Sequence, residues 1–454
     1  MKRFRNALLF IALLVLLALP AGAQDRVTIT WFIGLGTGTD PVQQEAQEAV
    51  VDAFNASQDH ITLETMYVDN EEANTVLATL IATGQSPDII GPVGFAGTHA
   101  FRDNLLDIQP FVDATGYDLS QFPEAAVEFQ RTDEGLMGLP LANFPAFLWY
   151  RPGLFDEAGL EYPPASYGEP YVLDGEEVEW NIDTMTEVAK RLTVDANGYD
   201  ATEEEFDPEN IVQWGLGQLG DYPLREHCTL FGAGSLYETL DDGTYKAVMP
   251  DNCREALKWE YNAMWEEHFI PTAAQVDSDL LGSGEPFPSG NVAMQQTHLW
   301  YTYAVEGDTE WDAAALPSYN GEVTSRLHAD TFRVLNTSDN PAEAFEALAY
   351  LVGPASLDLL AVYGGMPAVP EDQPAFFATL DEQFPQGVNW DVARESLNYP
   401  DHPSHEEWLP NNNVAWDRVN QLWNLLETES GLDVDAEIDQ MLADLDVIYN
   451  AEPE

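Results

Sequence analysis

Val27-Thr-Ile-Thr-Trp-Phe-Ile33-Gly-Leu-Gly-Thr-Gly-Thr-Asp40-Pro41 is the stretch of sequence that decides the fold. Its first seven residues are mostly β-branched or aromatic, which is typical of a buried strand. The glycine-rich residues 34–38 predict a turn. Asp40 followed by Pro41 predicts the start of a helix, because an Asp side chain can cap the first turn and Pro suits the first helical position.

The same alternation continues outward from this stretch. Residues 61–68 predict a second strand, residues 71–83 a helix that ends at Gly84, and residues 86–90 a third strand. Farther along the chain, residues 184–192 predict a helix capped by Asp183. Alternating strands and helices favour a mostly parallel sheet with helices on both faces, so the predicted fold class is α/β.

Charge and composition exclude several classes of protein. The 454 residues contain 17 Lys+Arg and 79 Asp+Glu, which gives a formal net charge of −62. Phosphate backbones and anionic membrane surfaces repel such a chain, so we expect neither a nucleic-acid partner nor binding to an anionic lipid surface. Because 45% of the residues are hydrophobic, the chain can bury a large core, and its length predicts two domains or lobes.

The N-terminus predicts export from the cytoplasm. Lys2, Arg3 and Arg5 precede an apolar run over residues 7–19, and small residues follow up to Ala23. This order is typical of a secretory signal peptide over residues 1–23, and the apolar run is shorter than the roughly 20 residues of a membrane span. We therefore expect a soluble, secreted or periplasmic protein.

Two cysteines, Cys228 and Cys253, occur in the whole sequence. Disulfides form in oxidising compartments, so an exported chain favours a bond between these two residues. The alternative is a pair of free buried thiols. Two thiols alone do not make a zinc site.

Several segments resemble the family 1 extracellular solute-binding proteins of ABC sugar importers, which are related to maltose-binding protein. The matching segments share the family's order and cover essentially the whole chain after residue 23: residues 31–40, 83–90, 147–160, 290–300 and 364–368. The longest match is the aromatic-Tyr-x-x-x-Leu-Phe-x-x-Ala-Gly-Leu pattern that ends at Leu160. Residues 161–180 and 195–210 look longer than the family's shortest members require.

The resemblance implies a two-lobed periplasmic-binding-protein fold of type II, in which each lobe is a mostly parallel sheet flanked by helices and a hinge links the lobes. It places the chain crossings near residues 143–145, 313–316 and 354–359. The expected N-terminal lobe is therefore 24–143 plus 314–355, and the expected C-terminal lobe is 144–313 plus 356–454.

The resemblance also implies the function. We expect a protein that captures a carbohydrate, an oligosaccharide or glycoside, between its lobes and delivers it to the permease of an ABC importer. It should act as a monomer and not as an enzyme. Two alternatives stay open, namely a secreted carbohydrate-active hydrolase or lyase, and a binding protein for a non-sugar solute such as a peptide or polyamine.

Sugar chemistry guides the choice of candidate binding residues. A sugar ring has an apolar face that stacks on Trp or Tyr, and a rim of hydroxyl groups that needs polar partners. The family places a stacking aromatic at Trp300. The predicted ligand-binding residues are Thr37, Thr39, Asp88, Asn143, Trp214, His298, Trp300, Tyr301, Asp330, Tyr363, Gly365 and Met366, and Arg326 and Trp416 are further candidates.

No cofactor is predicted. The glycines of residues 34–38 lack both the dinucleotide spacing and the Lys-Ser/Thr of a phosphate loop. The segment Asp195-Ala-Asn-Gly-Tyr-Asp200 suggests a calcium loop, but the sixth and twelfth positions counted from Asp195 are not the required Gly and Glu. An Asn-Gly turn is the simpler interpretation, with an irregular calcium site as the alternative.

Overall fold

The computed structural model describes residues 26–36, 38–132, 134–220, 224–282, 284, 286–305 and 309–451. The predicted signal peptide and Thr37 lie outside these residues. The described strands are β1 (Val27–Ile33), β2 (Ile61–Tyr67), β3 (Ile89–Val93), β4 (Arg131–Thr132), β5 (Gly135–Leu136), β6 (Ala142–Tyr150), β7 (Tyr171–Leu173), β8 (Glu176–Val178), β9 (Val194–Asp195), β10 (Ile211–Leu216), β11 (Tyr237–Thr239), β12 (Tyr245–Ala247), β13 (Val292–His298), β14 (Asp312–Ala314), β15 (Leu327–Val334) and β16 (Met366–Pro367).

The helices alternate with the strands in the first half of the chain and dominate its end. They are α1 (Pro41–Ser57), α2 (Asn70–Ala82), α3 (Gln109–Thr115), α4 (Glu124–Phe129), α5 (Pro152–Ala158), α6 (Ile182–Arg191), α7 (Leu224–Cys228), α8 (Asp251–Trp265), α9 (Ala273–Val276), α10 (Pro341–Leu351), α11 (Ser356–Tyr363), α12 (Gln373–Gln383), α13 (Trp390–Ser396), α14 (Asn412–Thr428) and α15 (Val434–Tyr449). Short 3₁₀ helices include Ala96–Asn104 and Leu299–Ala304.

The elements predicted around the first strand are confirmed. Asp40 precedes α1 and Pro41 begins it, and β1 pairs in parallel with both β2 and β3. The cap predicted for the helix near residue 184 is wrong. Asn181 caps α6 by accepting the N–H of Thr184 at 2.9 Å, so the helix begins at Ile182.

One large sheet runs through both lobes in the order β2-β1-β3-β15-β6-β13-β10-β9, and β14 and β16 also pair with β6. Parallel pairs lie on each side, β2-β1-β3 in the first lobe and β13-β10 in the second. The strands between them pair antiparallel because the chain passes from one lobe to the other along β6 and returns along β15. The α/β, two-lobed fold class is confirmed.

The partners of β6 locate the hinge. Its residues up to Pro145 pair with β15, and its residues from Ala146 onward pair with β13. We propose that the return begins later than the expected 313/314 boundary, because β14 still pairs with the second-lobe half of β6, whereas β15 starts at Leu327.

We propose that the third crossing also lies later than residues 354–359. Helix α11 belongs with the first lobe, since Leu359 and Leu360 pack in the same core as Ile29 and Phe54. Strand β16 then pairs with the first-lobe half of β6, and Ala368 still packs in the first-lobe core. We therefore propose boundaries at 145/146, 326/327 and 369/370. Helix α11 is apolar, and its sequence does not show which lobe covers it.

Each lobe has its own apolar core. The first-lobe core joins β1, β3 and β15 to α1, α10 and α11, with Trp31 fully buried against Phe332 in an edge-to-face contact at 5.3 Å. The second-lobe core joins α6, α8, α14 and α15 to β10 and β13. Removing such side chains from water is the main stabilising term of each lobe.

The predicted disulfide is confirmed. Cys228, at the end of α7, is bonded to Cys253 in the first turn of α8. Closing this loop stabilises a chain of this spacing by about 3 kcal/mol.

Among the described residues, no helix is long and apolar enough to cross a membrane by itself. Helices α10 and α11 meet the length and composition criteria only when taken together, and a bend of 65° separates them.

Candidate functional site

Three histidines meet where the lobes join. His298 is the last residue of β13, His328 lies at the start of β15, and His405 lies in the loop after α13. The ring centroids of His298 and His328 are 3.7 Å apart, and those of His328 and His405 are 5.0 Å apart. His298 and His405 are fully buried, whereas the His328 side chain is 20% exposed.

A buried ion pair lies beneath the histidines. Arg326 Nη1 donates to Glu226 Oε2 at 2.9 Å, and Arg326 Nη2 donates to the carbonyl of Gln296 at 3.1 Å. The other carboxylate oxygen, Glu226 Oε1, lies 3.2 Å from His328 Nε2. Burial by itself raises the pKa of Glu226, but Arg326 and the hydrogen bonds from His328 and His405 outweigh it and hold the pKa well below its usual range.

The loop over residues 401–409 completes this group. Asp401 Oδ2 accepts from His405 Nδ1 at 2.7 Å, and Asp401 Oδ1 accepts the backbone N–H of Leu327 at 3.1 Å. Burial alone lowers the pKa of His405, but the carboxylates of Asp401 and Glu226 raise it to about 9. Negative charge is therefore concentrated around the histidine rings.

A carboxylate pair faces the first lobe. Glu406 Oε1 accepts the backbone N–H of Ala96 at 3.2 Å, so the loop bridges from the second lobe to the end of β3. Asp330 lies close by, because a Cβ added at Gly94 would be 3.2 Å from Asp330 Oδ1 and 3.4 Å from Glu406 Oε2. Burial and the charge of Glu406 raise the pKa of Asp330 to about 6.

An aromatic surface borders the histidines. Trp300 is half-buried on a 3₁₀ helix, and its Nε1 donates to His328 Nδ1 at 3.2 Å. Its ring is nearly parallel to the rings of His328 and Tyr303, with angles of 8° and 15°. Tyr303 is 72% exposed, so this surface reaches solvent.

The structure thus brings together some of the predicted site residues. His298, Trp300, Asp330 and the further candidate Arg326 belong to the group at the lobe junction. Asn143 is buried on β6, opposite Ala329 and Met366 in the pairing register, which places it next to the strand that carries His328 and Asp330.

Asp88 lies at the other end of the first lobe. Its oxygens accept the backbone N–H of Thr30 at 2.8 Å and the hydroxyl of Ser338. It precedes β3, whereas Gly94 and Ala96 follow that strand, and five strand residues span about 16 Å. Asp88 therefore fastens β1, β3 and the end of β15 and does not join the histidine group.

The glycine turn is filled by the protein's own side chains. The backbone N–H of Gly38 donates to Gln43 Oε1 at 2.8 Å. The carbonyl of Thr39 accepts from Gln44 Nε2, and the hydroxyl of Tyr363 accepts from Gln47 Nε2 at 2.9 Å. The contact between Gln47 and Tyr363 joins α1 to α11, and burial raises the pKa of Tyr363.

The remaining predicted residues pack in cores. Trp214 packs with Ile211 and Val292 near the far edge of the second-lobe sheet. Tyr301 packs edge-on against Trp149, with centroids 5.7 Å apart, and Met366 is fully buried in the same cluster. Gly365 allows a close approach, since a Cβ there would be 2.7 Å from that of Ala142. Trp416 stacks on His99 at 4.4 Å.

The suggested calcium loop is an Asx-type turn. The Asp195 carboxylate accepts backbone N–H groups from Asn197, Tyr199 and Asp207 at 2.8–3.0 Å. Gly198 has a φ of +89°, which a glycine tolerates in such a turn. Oxygens surrounded by N–H donors are poorly placed for a cation, so the Asn-Gly turn describes this segment better.

Sequence reasoning missed Glu226, His328, Asp401, His405 and Glu406. Only the last three have a local signal, since Asp401-His-Pro-Ser-His-Glu406 concentrates titratable residues in six positions. Nothing in their spacing connects them to the other histidines, because His405 follows even the nearer one, His328, by 77 residues.

Comparisons with known proteins identify the family. Residues 37–357 match the family model for bacterial extracellular solute-binding proteins. The chain matches none of the curated proteins.

Solved structures share the fold. The ABC substrate-binding protein Lmo0181 from Listeria monocytogenes, in complex with cycloalternan, is 19% identical, with a TM-score of 0.68 over 94% of this chain and 100% of that chain. M. tuberculosis UspC is 21% identical, with a TM-score of 0.69 over 93% and 100%. The cyclic alpha-maltosyl-1,6-maltose binding protein from Arthrobacter globiformis is 19% identical, with a TM-score of 0.66 over 94% and 100%. Since the family model covers more than half of the sequence, this chain belongs to the bacterial extracellular solute-binding proteins.

Proposed function

We propose that this protein binds a carbohydrate at the junction of its lobes and delivers it to an ABC importer. Trp300, His328 and Asp330 are the proposed ligand contacts. Of these, Trp300 supplies the stacking face, and the others supply polar groups for the hydroxyl rim.

The observation that carries this proposal is the pairing of an aromatic surface with half-buried polar groups. The Trp300 and Tyr303 rings lie nearly parallel at the surface, with their centroids 6.1 Å apart. His328 accepts the Trp300 N–H, and Asp330 follows it by two residues on the same strand, β15. Such a combination suits a ring with one apolar face and many hydroxyls, because each surface of the sugar then finds a partner of its own kind.

The family and the fold support the same solute class. Lmo0181 is described with cycloalternan, and the Arthrobacter protein is described as binding cyclic alpha-maltosyl-1,6-maltose. Extracellular solute-binding proteins act outside the cytoplasm, which agrees with the proposed signal peptide. We propose that the chain works there as a monomer, without enzymatic activity, and docks on a membrane permease.

A thermal-shift screen against sugars, amino acids and polyamines tests the solute class. A ligand at 100 times its dissociation constant, bound only by the folded protein, adds about 2.7 kcal/mol of stability. We expect a shift with an oligosaccharide and no increase in reducing ends on prolonged incubation. Release of reducing ends would indicate the hydrolase alternative, and a shift with a polyamine or peptide alone would overturn the sugar assignment.

Replacing Trp300 tests the site. Trp300→Ala should weaken binding of the sugar found in the screen by at least tenfold, because the stacking face is lost. Trp265→Ala is a matched control, since Trp265 is also partly buried but packs in the second-lobe core, where its Nε1 donates to Leu426. If both variants bind the sugar as the wild type does, Trp300 is not a contact.

A further inference from the structure

Three ligand-type atoms converge at the lobe junction. His328 Nε2 lies 3.0 Å from His405 Nε2 and 3.2 Å from Glu226 Oε1, and the distance from His405 Nε2 to Glu226 Oε1 is 3.6 Å. In a tetrahedral zinc site with bonds of roughly 2.0–2.1 Å, neighbouring ligand atoms are about 3.3 Å apart. Two of the observed separations, 3.0 and 3.2 Å, are slightly shorter than this value, and the third, 3.6 Å, is slightly longer.

A fourth candidate ligand, His298, lies beside this triangle; its ring stacks on that of His328, with centroids 3.7 Å apart and 19° between the rings, so its Nε2 would turn toward a bound ion. No two of the ligand nitrogens of His298, His328 and His405 are more than 4.8 Å apart. His298 is 1% exposed, and its Nε2 has no hydrogen-bond partner among the described residues. An unpaired nitrogen in a buried position is costly, and a metal ion would satisfy it.

The surroundings are those of a metal ligand set. His405 gives its Nδ1–H to Asp401 at 2.7 Å, which fixes the ring, and a metal bound at Nε2 would replace the proton there and release it to solvent. Arg326 occupies the Oε2 atom of Glu226, so Oε1 remains directed at the two histidines. Glu406, whose Oε1 is 3.9 Å from His328 Nε2, adds a further carboxylate that offsets the charge of a divalent cation.

We propose that His298, His328, His405 and Glu226 form a binding site for a divalent transition metal, with Zn²⁺ the best match. Three imidazole nitrogens favour zinc, cobalt, nickel or copper over calcium or magnesium, which prefer oxygen ligands. The ligands come from β13, β15, α7 and the loop that reaches across to the first lobe. A bound ion would therefore fasten the lobe junction.

Metal binding also has a consequence for Trp300. Coordination through His328 Nε2 moves the proton of the neutral ring to Nδ1, which now accepts the Trp300 N–H at 3.2 Å. Two N–H groups cannot share that contact, so Trp300 must move when the metal binds. Trp300→Phe removes the competing donor and should bind the metal at least as tightly as the wild type.

The test uses the chain that begins after Ala23, purified without a histidine tag and stripped with a chelator. Co²⁺ is titrated alone in excess Mg²⁺, which occupies the surface carboxylates, and its visible absorption is recorded before Zn²⁺ is added in competition. We expect one equivalent of Co²⁺ with the intense bands of four-coordinate nitrogen and oxygen ligation, displaced by one equivalent of Zn²⁺. Absence of a stoichiometric spectrum in the wild type overturns the proposal.

Variants assign the ligands. His328→Ala changes the most exposed ligand and should abolish the spectrum, whereas Asp401→Asn should weaken Co²⁺ binding by roughly 10–100-fold. His60→Ala changes an exposed histidine that is distant in sequence from all four proposed ligands, and this variant should bind Co²⁺ as the wild type does. Equal Co²⁺ binding by the His328 and His60 variants overturns the assignment of the ligands. If His328→Ala does not fold, the Co²⁺ affinities of the Asp401 and Trp300 variants test the assignment instead. Because no sugar is present, the result is independent of the proposed solute.

Discussion

At the scale of single residues, the most consequential group is the buried pair of Arg326 and Glu226. Both side chains are less than 5% exposed, and together they support the histidines at the lobe junction. A buried charge without its partner is strongly destabilising, because it has lost its hydration and no ion pair compensates for that loss.

Arg326→Met should therefore lower the free energy of unfolding by about 3–5 kcal/mol, since methionine fills the space but leaves the Glu226 carboxylate without its guanidinium partner. Denaturant unfolding measures the change. The control is Arg131→Met, which removes the exposed pair with Glu128 and should cost far less. Equal losses in the two variants would contradict a special role for the buried pair.

His99 makes stability depend on pH. Burial lowers its pKa to about 3, and a hydrogen bond to the backbone of Glu406 offsets this only in part. Between pH 6.5 and 3 the unfolded chain binds a proton that the folded chain does not, so stability falls as the pH falls through this window.

His99→Phe keeps a ring stacked on Trp416 but cannot be protonated. Between pH 7 and pH 5 the wild type should lose about 2 kcal/mol more than the variant, since about 1.5 pH units below the unfolded pKa correspond to that free energy. Unfolding curves at both pH values measure the difference. Parallel losses in the two proteins would show that His99 titrates normally.

At the scale of elements, close approach of a helix to the sheet depends on glycine. Gly215 lies on β10 under α6, and a Cβ added there would be 1.8 Å from the carbonyl oxygen of Ala189. No side chain fits without moving the helix away from the strand.

Gly215→Ala should lower the unfolding free energy by up to about 3 kcal/mol through overpacking. Gly153→Ala is the matched control, because Gly153 lies in α5 and the nearest atom to its added Cβ is 3.7 Å away. Alanine there should be neutral or stabilise the helix by about 0.5 kcal/mol. Thermal unfolding compares both variants, and a neutral Gly215→Ala would mean that α6 can shift freely.

At the scale of the whole molecule, two neighbouring residues connect the lobes. Trp408 packs in a first-lobe cluster with Phe95, whereas Leu409 packs in the second-lobe core. The Trp408 ring contacts Phe95 edge-on at 5.1 Å, and its Nε1 donates to the Phe95 carbonyl at 3.3 Å. The loop that carries His405 thus holds the lobes together.

Trp408→Ala should shift the protein toward an open form, because it removes a buried aromatic contact between lobes whose own cores stay intact. Small-angle scattering without ligand should show a larger radius of gyration than in the wild type. Trp265→Ala, which changes the second-lobe core alone, should leave the radius unchanged in the folded state. An unchanged radius for Trp408→Ala would mean that other contacts set the closure.

The elements near the start of the chain were predictable because their signals are local. β-branched and aromatic residues specify β1, and Asp40 with Pro41 specifies the start of α1 whatever the rest of the chain does. The disulfide was predictable because two cysteines allow only one pairing. The lobe to which α11 belongs was not predictable from the sequence. An apolar helix can cover either lobe, and only its packing against α1 shows that it covers the first.

The sequence alone determined the fold class, the family resemblance and the disulfide, because periodicity, capping and motif order are written in neighbouring residues. Only the tertiary structure decided which candidates meet. It directed Asp88, Tyr363 and Trp214 to packing and hydrogen bonds within the lobes, and it brought His405 and Glu226 to His298 and His328. The physical reason is that β6 and β15 cross between lobes, so residues far apart in the chain become neighbours at the point where the strands change partners.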